Sequence, residues 1–466
     1  VALAACTGAF LIAFFVIFFL IYTIFRFTDQ NGWSPKTLII CLTRLGALAL
    51  LGVLISMFFF LPNLLEMLNS QRVSGAASLR NQLFSFNVFE NFTYSNSINA
   101  LLSFFSNDLQ GTGNAYQGRS NYLEGPMYYC GSFTLLLLSQ ALKGLNQRRA
   151  MLFAAFFLVF TIPVFFDFFR SAFWLFSAPY YRTYCLFVIL AMLFIALRSL
   201  DFILQERKLS LPSLGITLGL LLVTLLYPYS REIAFVDTEK SLVISLLVII
   251  YAALLLLLRV DRLRQPTLII LMFVVCAELA WSGSVTVNQR DMATQKDFQE
   301  GAGYNDHTKE VVNYLKQKDP TFYRIEKTYS SSPAMHYGLN DSRVQNYYGT
   351  RSYHSFNQRH YVEFLYQLGV IKTVDHASSR WLMGLISRPN LLSFVSVKYL
   401  LVKALTDIGY PQRLRYRYVT TIGDIIVLEN PGAYPLAISY DSFVTADNFR
   451  KLPPETKDRL LLDAFV

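Results

Sequence analysis

Long apolar segments separated by short basic connections constrain this chain more than any other feature of its sequence. A helix of about 20 apolar residues crosses the hydrocarbon core of a bilayer. Eight segments approach that length, at 1–25, 38–62, 126–142, 150–166, 184–200, 211–227, 241–258 and 267–281. Only 15% of the 466 residues are charged and 54% are hydrophobic, which excludes an ordinary soluble protein. We therefore predict a polytopic α-helical membrane bundle with about eight membrane segments, leaving open whether those at 150–166 and 211–227 cross fully.

The basic residues of the connections predict how the bundle is oriented. Lys and Arg collect in the cytoplasmic loops of membrane proteins. Alternate connections each carry three of them: Arg26, Lys36 and Arg44; Lys143, Arg148 and Arg149; Arg198, Arg207 and Lys208; Arg259, Arg262 and Arg264. We predict that these connections are cytoplasmic and that the intervening loops are external. The same residues account for much of the net charge of +10, so we expect no nucleic-acid partner.

A change of composition after Trp281 predicts two domains. We expect a transmembrane bundle at 1–282, with a long external loop at 66–125, and an extracytoplasmic soluble α+β domain at 283–466. Within that domain the pattern predicts helices at 308–318, 360–368, 445–452 and after Pro454, and strands at 322–329, 397–403, 415–419 and 424–430. The chain begins inside an apolar span and stops in a helical run. We therefore expect a longer protein, and an outer domain that is incomplete at its C-terminus.

Cysteine and histidine predict neither a metal site nor a redox cofactor. All five cysteines lie in apolar segments, where an isolated cysteine usually serves as a small apolar side chain. All five histidines lie beyond residue 300 without the spacing of metal ligands. The glycine-rich stretch GTGNAYQGR at 111–119 lacks the strand, the GK[ST] and the helix of a P-loop. We expect no cofactor and no metal.

The connection at 167–183, DFFRSAFWLFSAPYYRT, is the candidate binding site. It places Asp167, Arg170 and Arg182 around an aromatic patch at the predicted outer interface. Arginine holds phosphate through paired hydrogen bonds, and aromatic rings can stack on a sugar or line a lipid tail. An aromatic belt with arginines that reach the headgroups has the same composition, and both interpretations stay open.

Glu278 is a second candidate, because an acidic residue within a span is expensive and is a functional candidate by default. It lies one turn before Trp281, close to the end of the last predicted span. That position favours a carboxylate that simply reaches the interface.

Seven stretches, taken in order, resemble the bacterial YfhO-type membrane proteins. They are ISMFFFLPNLLEMLNS (55–70), EGPMYYCGSFTLLLL (124–138), APYYRTYCLFVILAMLFIAL (178–197), FYRIEK (322–327), YYGTRSYHSFNQ (347–358), LLSFVSVKYLLV (391–402) and VLENPGAYPLAI (427–438). They cover nearly the whole chain. No single stretch is highly specific, whereas their ordered set is.

The resemblance implies a GT-C type glycosyltransferase in the bacterial cell membrane. YfhO-like proteins are implicated in moving a sugar from a polyprenyl-phosphate-linked donor to teichoic-acid-type polymers outside the cell, lipoteichoic acid among them. The implied partners are membrane lipids, that donor and a cell-envelope polymer as acceptor. The catalytic acid of GT-C enzymes typically lies in the first long external loop, which would precede Val1. The catalytic residue is therefore unknown here, and the enzyme activity is expected of the longer protein.

The resemblance also suggests a role for Arg182. It stands where the family has a Pro-x-Arg-type start of a span, which implies contact with the donor phosphate, although APYYR departs from that pattern. We expect Arg170 and Arg119 to assist, Tyr180 and Tyr181 to stack on the donor, and Asp167 to complete the substrate site.

Two other classes of function stay open. A non-catalytic transporter or flippase of lipid-linked sugars would have paired half-helices and charges deep in its spans, and this sequence has few such charges. A scaffold whose outer domain binds a wall polymer is the other. An acidic residue in a long external loop upstream of Val1 would favour the enzyme.

Overall fold

The computed structural model describes all residues except 1–2, 4–8, 75–87, 90, 121, 123, 175, 177–178, 291, 293, 301, 333–336, 376 and 410–413. Contacts divide the chain into two compact units. The first unit comprises Val1–Asn63 and Gln82–Asp291, and the second comprises Leu64–Asn81 and Met292–Val466.

The first unit is helical. The helices of the described residues up to 291 are α1 Ala9–Asn31, α2 Pro35–Ile55, α3 Met57–Leu68, α4 Gln71–Ser74, α5 Tyr94–Leu102, α6 Ser132–Leu138, α7 Gln147–Phe165, α8 Asp167–Phe173, α9 Arg182–Glu206, α10 Leu211–Leu226, α11 Thr238–Leu257 and α12 Arg264–Asn288. Short 3-10 turns lie at Gly113–Ala115 and Asp261–Leu263. The second half of α3 and all of α4 fall in the ranges of the second unit.

Five segments of the described chain are long and apolar enough to cross a membrane. They are α2, α7, α9, α11 and Asp261–Asn288, which contains α12. They confirm a helical membrane region and match the predicted spans at 38–62, 150–166, 184–200, 241–258 and 267–281. Helix α10 is apolar but shorter. Helix α1 overlaps the predicted span at 1–25, of which 1–2 and 4–8 lie outside the described residues.

The prediction of a continuous helical span at 126–142 is wrong. The helix there is α6, whose 7 residues rise only about 10 Å against a hydrocarbon core of about 30 Å. Gly131 precedes it with a φ of +92°, a backbone conformation that ends regular helix on that side. Residues Ser132 to Leu137 are buried. Non-helical backbone at membrane depth is tolerated where protein encloses it, so an apolar run alone does not identify a spanning helix.

Aromatic rings form much of the core of the first unit. Phe18 stacks on Phe187 with centroids 4.8 Å apart, and Phe25 stacks on Phe156 at 4.2 Å. Helix association in lipid depends on close packing rather than on the exclusion of water. Stacked rings between α1, α7 and α9 supply that packing.

A buried polar network fixes the loop that follows α5. The Asp108 carboxylate accepts from the Tyr122 hydroxyl at 2.9 Å and from the Thr286 hydroxyl. Lys240 Nζ donates to the Asp108 carbonyl at 3.1 Å. Asp108 is 1% exposed, so these bonds replace the water it loses. The loop is thereby attached to α11 and α12.

The second unit contains a mixed β-sheet with helices around it. Its strands are β1 Arg324–Lys327, β2 Ser352–Tyr353, β3 Trp381–Leu382, β4 Val397–Val402, β5 Arg417–Ile422 and β6 Ile425–Glu429. The larger sheet has the order β1-β4-β6-β5, with β1 and β4 parallel and the other pairs antiparallel, while β2 and β3 form a separate antiparallel pair. The remaining helices are α13 Gln295–Gln299, α14 Thr308–Lys318, α15 Asp341–Val344, α16 Arg359–Gln367, α17 Pro389–Phe394, α18 Ala446–Lys451 and α19 Pro454–Asp463, with 3-10 turns at Gly303–Asn305 and Leu405–Asp407.

Strand β4 is the centre of the second unit. Tyr399 and Leu401 pack against α14 and β1 on one face, while Leu400 and Val402 join a smaller cluster on the other. A strand buried on both faces has a continuous apolar sequence, as VKYLLV does. The predicted strands and helices of this region are confirmed to within a few residues at each end.

The orientation prediction is tested by cysteine labelling in a background without the five native cysteines. Lys208 follows α9 in a basic connection, and its side chain is 73% exposed. Asp447 lies on α18 with its side chain 84% exposed. Because basic connections face the cytoplasm, a membrane-impermeant maleimide added to intact cells should label a cysteine at Asp447 and spare one at Lys208. The opposite pattern contradicts the orientation.

Candidate functional site

Charged side chains from distant parts of the chain meet around Asp167. Arg119 Nη2 donates to both carboxylate oxygens of Asp167 at 2.9 Å, and Arg170 Nη2 donates to one of them. Asn91 adds a hydrogen bond at 3.1 Å. Asp167 and Arg170 are three residues apart on α8 and therefore lie on one face of it. The Asp167 side chain is 5% exposed, so these donors take the place of water around its carboxylate.

Arg170 is the central buried group of this cluster, with 1% of its surface exposed. Its Nε donates to the Pro179 carbonyl at 2.8 Å, and its Nη1 donates to the carbonyls of Pro163 and Val164 at 2.8 and 3.3 Å. The guanidinium carbon lies 3.7 Å from the centre of the Tyr181 ring. The bonds of Arg170 thus go to the protein itself.

The end of α7 explains why an arginine stands at this position. The last carbonyls of a helix have no partner within the helix, and those of Pro163 and Val164 lie in the final turn of α7. A cationic side chain at a helix C-terminus satisfies such carbonyls and suits the helix dipole. Arg170 does so from the neighbouring helix α8, and it also holds the connection to α9 through Pro179.

Tyr181 lies between two guanidinium groups. Its hydroxyl accepts from Arg119 Nη1, and its ring faces Arg119 at 5.2 Å as well as Arg170. The residue is 2% exposed. Cations over an aromatic face gain more where water is excluded, so Tyr181 joins the two arginines into one rigid group.

Arg182 begins α9 directly after Tyr181 and has a different environment. Its Nη2 lies 3.0 Å from Glu124 Oε1, with the side chains 47% and 28% exposed. An ion pair in contact with water stabilises a protein little, typically by less than about 1 kcal/mol. This guanidinium can therefore exchange its partner at small cost, which Arg170 cannot.

The group of five charged side chains has an excess of positive charge. Arg119, Arg170 and Arg182 contribute three positive charges, and Asp167 and Glu124 contribute two negative ones. A site with one uncompensated cation, half open at Arg182, favours an anionic ligand.

The structure brings four of the six predicted site residues into direct contact: Arg119, Asp167, Arg170 and Tyr181. Arg182 adjoins them along the chain. The Tyr180 ring meets Trp174 edge-on at 5.2 Å, and the Tyr180 carbonyl accepts from Trp174 Nε1 at 2.8 Å.

Two members of this group were missed by the sequence analysis. Both lie in the long loop. Glu124 precedes its partner Arg182 by 58 residues, and Asn91 precedes its partner Asp167 by 76. Their residue types are common in loops, and no local pattern distinguishes them.

Glu278 forms a separate polar site and does not simply reach the interface as expected. It is 2% exposed. Its carboxylate accepts from the Ser132 backbone N–H at 2.8 Å and from the Tyr251 hydroxyl at 2.6 Å. The carboxylate thus fixes the start of the interrupted segment α6 to α11 and α12. The sequence places Glu278 near the end of a span, but only the break at Gly131 gives it a buried donor.

Among the described residues, no group of three or more His, Cys, Asp or Glu side chains could hold a metal ion.

Comparison with known proteins gives one result. The family model described as "Bacterial membrane protein YfhO" matches residues 9–466. Neither the curated proteins nor the solved structures contain a match to the chain.

The buried position of Arg170 predicts a large loss of stability on its replacement. Arg170→Met removes the partner of three carbonyls and one of the donors to Asp167, and breaking a buried pair of this kind costs about 3–5 kcal/mol. Arg207→Met is the matched control, because its pair with Asp261 is solvent-exposed, with side chains 57% and 69% exposed. Thermal unfolding of the detergent-purified protein should show a clearly lower Tm for Arg170→Met alone. Equal Tm values for the two variants contradict this role.

Proposed function

The chain belongs to the YfhO family of bacterial membrane proteins, and on that premise we propose that it is an integral-membrane glycosyltransferase of GT-C type. It transfers a sugar from a polyprenyl-phosphate-linked donor to a teichoic-acid-like polymer of the cell envelope, on the outer face of the cell membrane. The observation that carries this proposal is the excess of guanidinium groups around Asp167 and Tyr181. In this proposal the described residues bind the donor, and the catalytic acid is not assigned to any of them.

The position of the cluster along the spans supports a lipid-linked ligand. Helices α7 and α9 are both long enough to cross a membrane. Asp167 follows the end of α7, and Arg182 is the first residue of α9. The cluster therefore stands where two spans leave the hydrocarbon, at the depth at which the phosphate of a lipid lies.

The three arginines have different roles in binding the phosphate. Arg182 makes the direct contact, with the phosphate replacing Glu124 as its partner. A charge-assisted hydrogen bond of this kind contributes about 1.5–3 kcal/mol. Arg170 and Arg119 assist by fixing Asp167 and Tyr181 and by supplying positive potential behind the site. Because their bonds to the protein are already made, they cost no reorganisation when the donor binds.

The aromatic side chains next to Arg182 suit the rest of the donor. Tyr180 and Tyr181 precede it directly, and Trp174 contacts Tyr180 edge-on. Rings at an interface combine an apolar face with a polar tip. In the proposal Tyr180 stacks on the sugar or the first prenyl units, while Tyr181, held between two arginines, sets the position of the phosphate.

The proposal predicts a loss of donor affinity in Arg182 variants. We expect Arg182→Ala to weaken the binding of a polyprenyl monophosphate, and to raise the KM for the sugar-linked donor, by about tenfold or more, since the phosphate loses a charged partner. Arg182→Lys keeps the charge but loses the planar fork, so it should restore binding only in part. Binding is measured in nanodiscs that contain the intact protein.

Two controls make this test specific. Arg207→Ala removes an arginine of similar exposure and similar pairing distance, 2.9 Å from Asp261, and should bind the lipid as the unaltered protein does. Polyprenol, which has no phosphate, should bind weakly to every variant. If Arg182→Ala matches the unaltered protein, or if polyprenol binds equally well, Arg182 is an interfacial anchor and not a donor contact.

One observation favours a second candidate, a transporter or flippase of lipid-linked sugars. Transporters often have interrupted helices with ionisable groups at the break, and α6 with Glu278 has this form. Such a transporter would also have charges deep in its spans, and this sequence has few of them, so we rank this function second.

A single substitution separates the two functions. Glu278→Gln keeps the shape of the side chain and removes its charge. A flippase that relies on this carboxylate should lose most of its transport of a fluorescent polyprenyl-phosphate sugar across the membrane of proteoliposomes. In a glycosyltransferase Glu278 has a structural role, which the neutral amide oxygen of glutamine largely fills. We therefore expect Glu278→Gln, at matched expression, to retain sugar transfer within about threefold. If Glu278→Gln loses sugar transfer together with transport, this separation of the two functions is contradicted.

A further inference from the structure

A cavity of about 490 Å³ lies wholly within the second unit. Its lining comes from α14, the loop that leads from α14 into β1, and α15 with the residues that follow it. This is the size range of small-molecule sites, which are concave and partly aromatic with a few polar groups. None of the interactions described above involves this cavity.

One wall of the cavity is aromatic and faces solvent. The rings of Phe322 and Tyr348 have centroids 5.3 Å apart and are inclined at 38°. Tyr348 is 66% exposed, although its backbone is fixed by a hydrogen bond from the Ile325 N–H to its carbonyl at 2.8 Å. An exposed ring on a fixed backbone provides contact area at low entropic cost, and it suits the apolar C–H face of a sugar ring.

A buried hydroxyl at the same cavity has no partner. Tyr323 lines the cavity and is 8% exposed. Its hydroxyl has no hydrogen-bond partner among the described residues. Leaving such a group unpaired costs about 1–3 kcal/mol. The oxygen is itself enclosed by protein, so Tyr323 supports the wall of the cavity and offers it no hydroxyl.

The polar side chains of the cavity leave an excess of positive charge. Lys316 Nζ donates to the Asn346 carbonyl at 2.7 Å, a bond that keeps its charge uncompensated. Arg343 is exposed and has no carboxylate within ion-pair distance in the described part of the chain. The one acidic group of the lining, Asp319, is already neutralised by Lys398 at 2.6 Å.

Asp319 stays ionised through its own partners. Burial alone would raise the pKa of its carboxyl, but the hydrogen bonds from Lys398, Thr321 and Tyr399 outweigh burial and hold that pKa below its usual value. Asp319 and Lys398 therefore neutralise each other at neutral pH. Lys316 and Arg343 remain to attract an anion.

We propose that this cavity binds one sugar unit of an anionic saccharide. The sugar ring packs against Phe322 and Tyr348, and the acidic substituent lies at Arg343 and Lys316. The inference goes beyond the proposed transfer reaction and does not depend on it, since no residue of the Asp167 cluster takes part. It assigns the second unit a binding activity of its own.

The test is saturation-transfer difference NMR on the intact protein in detergent micelles, with glucose 6-phosphate as the probe. We expect saturation of the ring protons, and a stronger effect than with glucose at equal concentration. Tyr348→Ala should weaken binding of the probe by about fivefold to tenfold, since an aromatic anchor is lost, whereas Tyr348→Phe should retain it. Arg343→Gln should reduce the response to glucose 6-phosphate to the level seen with glucose.

Matched controls come from the same unit. Tyr418 has the same exposure as Tyr348, 66%, and Arg417 is an exposed arginine of β5. Neither lines the cavity. Tyr418→Ala and Arg417→Gln should leave the signal unchanged. The proposal is overturned if the unaltered protein gives no saturation transfer, if Tyr348→Ala binds like Tyr418→Ala, or if glucose 6-phosphate and glucose respond equally in the unaltered protein.

Discussion

Arg170 organises the helix ends around it because a guanidinium without water must find all of its partners in protein. It takes carbonyls from the last turn of α7 and from Pro179, and a carboxylate from its own helix α8. Each partner thereby gains a fixed place, and so do the groups bound to it: Tyr181 beneath the guanidinium and Arg119 on the other side of Asp167. The exposed Arg182 is presented from this rigid base. The ligand contact that we propose thus depends on an arginine whose own hydrogen bonds go to the protein.

The two polar sites of the first unit provide hydrogen-bond partners for a buried carboxylate in different ways. Around Asp167 the arginines outnumber the acids, and the last arginine is half exposed, which is the basis of the anion contact that we propose. At Glu278 a single carboxylate is enclosed by a backbone N–H and a tyrosine hydroxyl, and its bonds serve the fold. Burial by itself therefore does not distinguish a binding site from a structural one. The distinction comes from the charge left over and from the exposure of the last side chain.

The sequence predicted the regular elements well where one local pattern determined them. VKYLLV is apolar at consecutive positions and can only be a strand buried on both faces or a piece of buried helix, and Thr308–Lys318 has the amphipathic period of its helix. It failed at 126–142, because hydropathy measures transfer into an apolar phase and is the same for a helix in lipid and for a broken segment enclosed by protein. The chemistry of the 167–183 connection was visible in its residue types. The partners Glu124 and Asn91 were not, since nothing local relates them to residues that lie far along the chain.

The interrupted segment around α6 also constrains the order in which the protein can be assembled. Backbone groups at its start take partners outside the segment: the Tyr128 N–H donates to the Ser103 carbonyl at 3.3 Å, and the Ser132 N–H donates to Glu278. The segment is therefore poorly suited to enter lipid as an independent helix. The helices that pack against it, α9 and α11, and the carboxylate of α12 that receives the Ser132 N–H are all synthesised later. The contacts of residues 126–142 are therefore completed only after about 150 further residues have been made, counting from Ser132 to Glu278. Burial of this segment therefore follows the synthesis of α9, α11 and α12 and not its own emergence.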